Sequence, residues 1–242
     1  MKNIAFPATR SHRPQEPACP EDLLEMYLGR DVARRVLAGE INRGSCETIR
    51  AVIWLCDLRG FSVLADTMPR DELVDLLNAF FDCMVAPVHK HGGEVLKFLG
   101  DGLLAIFNLS EGRKADACHS AYRAAIAALN NMAEFNARRV AIGAAPVGFG
   151  LALHVGEVVY GNIGAAGRLD FTVIGAAVNE ASRMEKMCKD LKLPLLASET
   201  FAAGCPGLLH HVGRRDLPGT GHARELFTIG PCRESPDGGC TT

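Results

Sequence analysis

An α/β sandwich is what this sequence predicts, and three observations predict it. Short apolar runs of strand length alternate with longer segments whose apolar residues recur at helical spacing. The order of these pieces is strand, helix, two strands, helix and further strands, which suits a ferredoxin-like βαββαβ core. The composition is globular, with 48% of the 242 residues hydrophobic and 22% charged.

Taken in order, residues 1–20 contain four prolines and no periodicity, and read as a mobile arm. Residues 21–48 form a short helical segment and a linker: Leu23, Leu24, Tyr27, Leu28, Val32, Val36 and Leu37 recur at helical spacing around Gly29, and a polar link follows. Their apolar stripe has two readings, packing on the chain's own core or pairing two copies of the chain. Residues 49–230 form the main domain. Its first strand, Ala51 to Cys56, is apolar enough to be buried on both faces, and it closes on Asp57. Leu58-Arg59-Gly60-Phe61-Ser62 then turns into a short helix. From Asp71 to His91, Leu73, Leu76, Leu77, Phe80, Phe81, Met84 and Val88 mark an amphipathic helix, with Gly92-Gly93 beyond its end.

Next comes Glu94 to Phe107, two apolar runs about Gly100-Asp101-Gly102, a β-hairpin whose Asp-Gly pair is expected to supply positive φ. Arg113 to Val140 is an alanine-rich helix. Val147 to Val155 and Glu157 to Ile163 read as a second hairpin hinged at Gly156, with Gly161 to Gly167 a loop. Phe171 to Ile174 is a strand, and Gly175 to Leu191 a helix. Shorter runs at 193–197, 198–203, 208–217 and 224–229 complete the domain, and residues 231–242 read as a flexible tail.

A formal net charge of −2 argues against a polyanion or an anionic membrane as partner, and no apolar run reaches membrane length. No signal-peptide core follows Met1. The nine cysteines are scattered without a Cys-x-x-Cys pair, as expected of reduced thiols in a cytoplasmic protein.

Chemistry gathers at three places. Asp101 puts a carboxylate at a hairpin tip, with Lys97 four residues earlier on an apolar strand. For an isolated hairpin the plainer reading is a solvated turn Asp and a snorkelling Lys. Asp57, at the end of another strand, makes a carboxylate pair if the two strands are neighbours. The turn after it opens a helix, whose free N–H groups suit phosphate. Hard oxygen ligands of this kind suit Mg²⁺ or Mn²⁺, and two such ions can serve a displacement that expels pyrophosphate. On the helix from Gly175, Asn179 and Arg183 are four apart and share one face, either a solvated polar face or donors to a nucleotide.

Cys56-Asp57-Leu58-Arg59-Gly60-Phe61, Lys97-Phe98-Leu99-Gly100-Asp101 and Val178-Asn179-Glu180-Ala181-Ser182-Arg183 together resemble, in order, the motifs of class III adenylate and guanylate cyclase catalytic domains. The resemblance runs from about Arg50 to about Thr228. It implies conversion of ATP to 3′,5′-cyclic AMP, with Asp57, Asp101 and the Leu58 carbonyl holding two ions, Mg²⁺ or Mn²⁺. Gly60, Phe61 and Ser62 would cradle the β- and γ-phosphates, Arg183 would stabilise charge at the α-phosphate, and Asn179 would orient the ribose.

Base choice in the family is attributed to the positions of Lys97 and Thr172, and this pair fits adenine; guanine-specific members use Glu and Cys. Threonine there also occurs in bicarbonate-stimulated members, so a bicarbonate response is an expectation. The acids come from one subunit and the lysine–threonine pair with the Asn-Arg helix from its partner, which implies a head-to-tail homodimer. A lysine that many members carry on the late hairpin is replaced by Leu217-Pro218-Gly219, leaving Arg214, Arg215, His222 or Arg224 as substitutes. His154, in a family His-x-Gly motif, reads as a hydrogen-bonded structural residue. The alternatives are a catalytically weak nucleotide-binding regulatory module and a guanylate cyclase; a ferredoxin-like RNA-binding domain is disfavoured by charge and by the lack of an aromatic strand motif.

Overall fold

The computed structural model describes residues 19–109, 114–217, 219 and 223–230. Nearly all of the expected arm and the tail at 231–242 therefore lie outside the described residues, as do Pro218 and His222. The chain divides into two compact units, Met1–Ile41 and Asn42–Thr242. In the first, helices α1 (Pro20–Leu28) and α2 (Arg30–Leu37) pack on each other. Proline suits the first helical position because its missing N–H is unneeded there. Gly29, with φ 84°, breaks the two apart, and Asp31 at the start of α2 accepts from Arg34 and Arg35.

The second unit is built on β1 (Cys46–Leu58), α3 (Phe61–Thr67), α4 (Arg70–Lys90), β2 (Glu94–Leu99), β3 (Gly102–Asn108), α5 (Lys114–Ala141), β4 (Phe149–Ala165), β5 (Arg168–Ile174), α6 (Ala176–Asp190), β6 (Leu195–Ser198), α7 (Glu199–Ala202), β7 (His210–Asp216) and β8 (Ala223–Thr228). The strand order is β2-β3-β1-β4-β6-β8-β7, with β5 paired to β4. Within it, β1-(α3,α4)-β2-β3-α5-β4 is the expected ferredoxin-like βαββαβ core, its neighbouring strands all antiparallel.

The two-residue period of a strand sends alternate side chains to opposite faces. From β1, Val52, Trp54, Cys56 and Leu58 join Leu76, Phe80, Met84 and Val88 of α4 and Ala121, Ala125, Ala128 and Met132 of α5 in the main core. The alanines let α5 lie close to the sheet. On the other face Ala152 and Leu196 meet Met184 and Cys188 of α6.

Two expectations are corrected. Residues 147–163 do not form a hairpin hinged at Gly156: β4 is one strand that runs through it in unbroken register with β1, Ala51 facing Gly156. The glycine is needed for close approach instead, since a Cβ there would lie 2.3 Å from the Ala177 Cβ of α6. The supposed loop at 161–167 is largely strand for the same reason: β4 and β5 pair from Val159–Ile174 out to Ala165–Arg168. Among the described residues no helix is long and apolar enough to cross a membrane.

Candidate active site

Asp57 lies near the end of β1 at the centre of three strands, facing Gly102 of β3 and Gly150 of β4 in register. The β2–β3 hairpin closes with Leu99 opposite Gly102, leaving Gly100-Asp101 as a two-residue turn. The positive φ, 70°, falls on Gly100 and not on the Asp-Gly pair, as a turn with glycine in its first central position requires. Gly102 is glycine for another reason: a Cβ there would meet the Cys56 carbonyl at 2.6 Å and Asp57 Oδ1 at 2.9 Å. The Leu58 N–H donates to the Asp101 carbonyl at 3.3 Å, tying the two acids' backbones together.

The expected carboxylate pair is therefore assembled, and Asp57 carries its electrostatic mark. Burial, then the charges of Asp101 and Glu185, push its carboxyl up to about 7, and its Oδ1 is buried without a hydrogen-bond partner. An orphaned carboxylate oxygen beside a second acid is what a divalent cation relieves, so the donor set fits Mg²⁺ or Mn²⁺. Immediately downstream, Gly60 adopts the left-handed conformation, φ 72°, and caps α3. Val63 and Leu64 N–H groups return to its carbonyl at 3.0 and 3.1 Å. The N–H groups of Phe61 and Ser62, in the first turn, have no acceptor within the helix.

A second group of residues meets elsewhere. Lys97 of β2 reaches Asp170 of β5 at 2.6 Å, and Thr172, two residues on, shares that face of the strand. Thr172 is buried, and its Oγ1 has no partner. Lys97 thus reaches the strand that carries Thr172, through Asp170, a partner that the sequence reading missed.

On α6 the buried positions Ala177, Ala181, Met184, Glu185 and Cys188 face inward. At about 100° per residue, Asn179 and Arg183 fall on the opposite side of the helix; Asn179 is exposed, Arg183 half-buried. Arg183 Nη2 lies 3.4 Å from where a Cβ on Gly219 would be, beside the segment that replaces the family lysine. Of the substitutes for that lysine, Arg224 is engaged by Glu180 at 2.9 and 3.2 Å, and Arg215 donates to carbonyls of its own strand. Arg214 is exposed.

His154 is not hydrogen-bonded in the way expected. Its Nδ1 is buried without a partner, its Nε2 is 3.8 Å from Glu180, and burial pushes its pKa down. It lines a cavity of about 360 Å³ with Glu180, Thr200 and Arg224, whose walls include neither Asp57 nor Asp101.

Residues 46–215 match the adenylate and guanylate cyclase catalytic domain, and the chain belongs to that family. It is 33% identical over 172 residues to an adenylate cyclase of Anabaena cylindrica, covering 69% of this chain and 33% of that protein. Adenylate cyclase 1 of Rhizobium meliloti is 27% identical over 207 residues, covering 84% and 31%. The chain thus spans about a third of the length of these relatives. Among solved structures, the adenylyl cyclase CyaB from P. aeruginosa shares the fold at TM-score 0.70 and 24% identity, covering 78% of this chain and 98% of that one. The guanylyl cyclase Cya2 superposes at TM-score 0.65 and 26% identity, covering 78% and 96%.

Proposed function

We propose that residues 49–230 form an adenylate cyclase that converts ATP to 3′,5′-cyclic AMP and pyrophosphate in the cytoplasm, at sites shared by two copies of the chain arranged head to tail. The observation that carries this reading is the division of labour on α6. Its inward face packs on the sheet of its own chain and sets the charge of Glu185 on Asp57, while Asn179 and Arg183 face away and can serve a second molecule's acids. A single chain holds both halves of a site on different surfaces, and pairing two chains completes two sites.

The ribose 3′ oxygen attacks the α-phosphorus; the new O3′–P bond forms as the bond to the bridging oxygen of the β-phosphate breaks, and pyrophosphate leaves with that electron pair. Asp57 and Asp101, with the Leu58 carbonyl, would hold two divalent cations, which when bound supply activation of the 3′ oxygen and neutralisation of the leaving group. The first-turn N–H groups at Gly60, Phe61 and Ser62 receive the outer phosphates. The partner's copy of Arg183 lies against the α-phosphate, where its fixed charge lowers the barrier, and that of Asn179 holds the ribose. The hydroxyl proton passes to solvent or phosphate oxygen, since no side chain is placed as its base.

Adenine is favoured over guanine by the Lys97 wall. An ammonium has three donors, so the contact with Asp170 leaves donors for adenine N1, and the partnerless Thr172 Oγ1 accepts from the exocyclic amine. The test is to incubate the purified chain with ATP or GTP and Mn²⁺, with and without bicarbonate, and to resolve products by mass. Cyclic AMP from ATP, lost in Asp101→Ala, is the expected result. No cyclic nucleotide from a sample verified to be dimeric overturns the reading in favour of a nucleotide-binding module.

A further inference from the structure

Behind the acid pair lies a third carboxylate that the proposed chemistry does not use. Glu185 is 8% exposed, and its Oε1 lies 2.4 Å from where a Cβ on Gly150 would stand. Gly150 is the β4 residue in register with Asp57. The missing side chain at 150 thus leaves room for a carboxylate above the strand that flanks the acid. The charge of Glu185 acts on Asp57, and that of Asp101 acts on Glu185.

The opposing charges are Arg59, whose guanidinium acts on Glu185 from the turn after β1, and then Lys186, its neighbour on α6. Arg59 is itself well held. Its side chain packs along Gly148, with Cδ 3.3 Å from a Cβ position there, and it donates to the Leu193 carbonyl just past the end of α6.

Packing alone gives no reason for this glutamate. It occupies the inward stripe of α6 between Ala181, Met184 and Cys188, where an apolar side chain would bury at no electrostatic cost and where a buried carboxylate near two others destabilises the fold. Among the described residues no three such side chains converge as a ligand set; what links Glu185 to Asp57 is the charge of one acting on the other.

We infer that Glu185 is a positioning residue for the cation site: a third negative charge, restrained by Arg59, that strengthens cation binding at Asp57 and Asp101 and ties α6 to the occupancy of that site. The inference rests on the cyclase reading. Its further content is that α6 responds on its inward face to the ions of its own subunit while its outward face serves the nucleotide of the other.

The test uses the full chain and Glu185→Gln, with Glu185→Met as an apolar variant of similar length. Mn²⁺ affinity is read without nucleotide by electron paramagnetic resonance, and thermal unfolding is followed in metal-free buffer. Both variants are expected to bind Mn²⁺ about tenfold more weakly, as loss of one negative charge that acts on the acid pair implies. Both should also unfold at a higher temperature without metal, because the cost of burying a carboxylate is gone. If Glu185 merely supports the helix, the metal-free midpoint falls and Mn²⁺ affinity is unchanged, which overturns the inference. Variants that do not fold overturn it as well, since the proposed role predicts a stabler apoprotein. A wild-type chain that binds no Mn²⁺ overturns the cyclase reading and this inference together; one that binds it, with Glu185→Gln binding equally, overturns this inference alone.

Discussion

The acid end of the sheet and the outward face of α6 are held in opposite ways. Asp57 is fixed by a three-strand ladder and Asp101 by a two-residue turn, so backbone geometry alone brings the two together. Asn179 and Arg183 depend on how one helix lies, and Asn179 is exposed. The difference teaches where sensitivity should sit. The acid end is preorganised and carries an unsatisfied oxygen, so small backbone changes should damage it. If a second copy completes the helix face as proposed, that face should tolerate backbone change and respond to side-chain loss or to dilution of the protein.

The largest expected effect comes from removing one residue of each half. Asp57→Ala and Arg183→Ala should each lower cyclase turnover by about 10³-fold or more as homodimers. Mixed in equal amounts they should regain about a quarter of the wild-type activity, because about half of the dimers pair one of each and hold one intact site in two. Absence of rescue, with subunit exchange verified by mass spectrometry of the dimers, would show that the two halves do not meet across chains.

Next is Gly102→Ala, which drives a Cβ into the Cys56 carbonyl and the Asp57 carboxylate. It should cost about 1–3 kcal/mol of stability and most of the activity, whereas Gly219→Ala beside Arg183 should leave more of both. Denaturant titration alongside turnover measures the contrast. A smaller effect is expected on the base wall: Lys97→Glu with Thr172→Cys should lower kcat/KM for ATP by about 10²-fold, the scale of two lost polar contacts. Unchanged ATP kinetics would remove both residues from base reading.

The apoprotein should also show a pH signature. The Asp57 carboxyl is raised to about 7 by burial, Asp101 and Glu185, so its contribution to stability is present in full below the unfolded-state value and is lost as pH rises through about 7. Thermal midpoints of metal-free protein should fall between about pH 4 and pH 7, and saturating Mg²⁺ should flatten that slope. A metal-free midpoint that rises over this interval would show that the acid pair is not strained. The smallest expected effect is Asp170→Asn, about threefold in KM for ATP, since an exposed ion pair contributes little.

Much of this was legible in the sequence because it is local. The hairpin around Asp101 and the helices α4 and α5 follow from short-range period and turn chemistry, and the three motifs gave the family and most of the proposed site. What was misread or missed is non-local. Gly156 looked like a hinge because glycine in an apolar run usually marks a turn, and its true constraint, Ala177 of α6, arises only when the helix docks. Asp170 meets Lys97 across 73 residues, with no spacing to announce it. Glu185 did leave a signal, a charge on the apolar stripe of an amphipathic helix, but its meaning depends on Gly150 lying beneath it.

If two copies share each site as proposed, the opposed faces of α6 have a genetic consequence. A chain carrying Asp57→Ala and Arg183→Ala together would spoil both sites of any dimer it enters, because it fails its partner on one surface and is beyond its partner's help on the other. Expressed in equal amount with the intact chain, it should leave only about a quarter of the dimers active by random pairing, so such an allele would be dominant in a cell that still makes a full complement of sound protein.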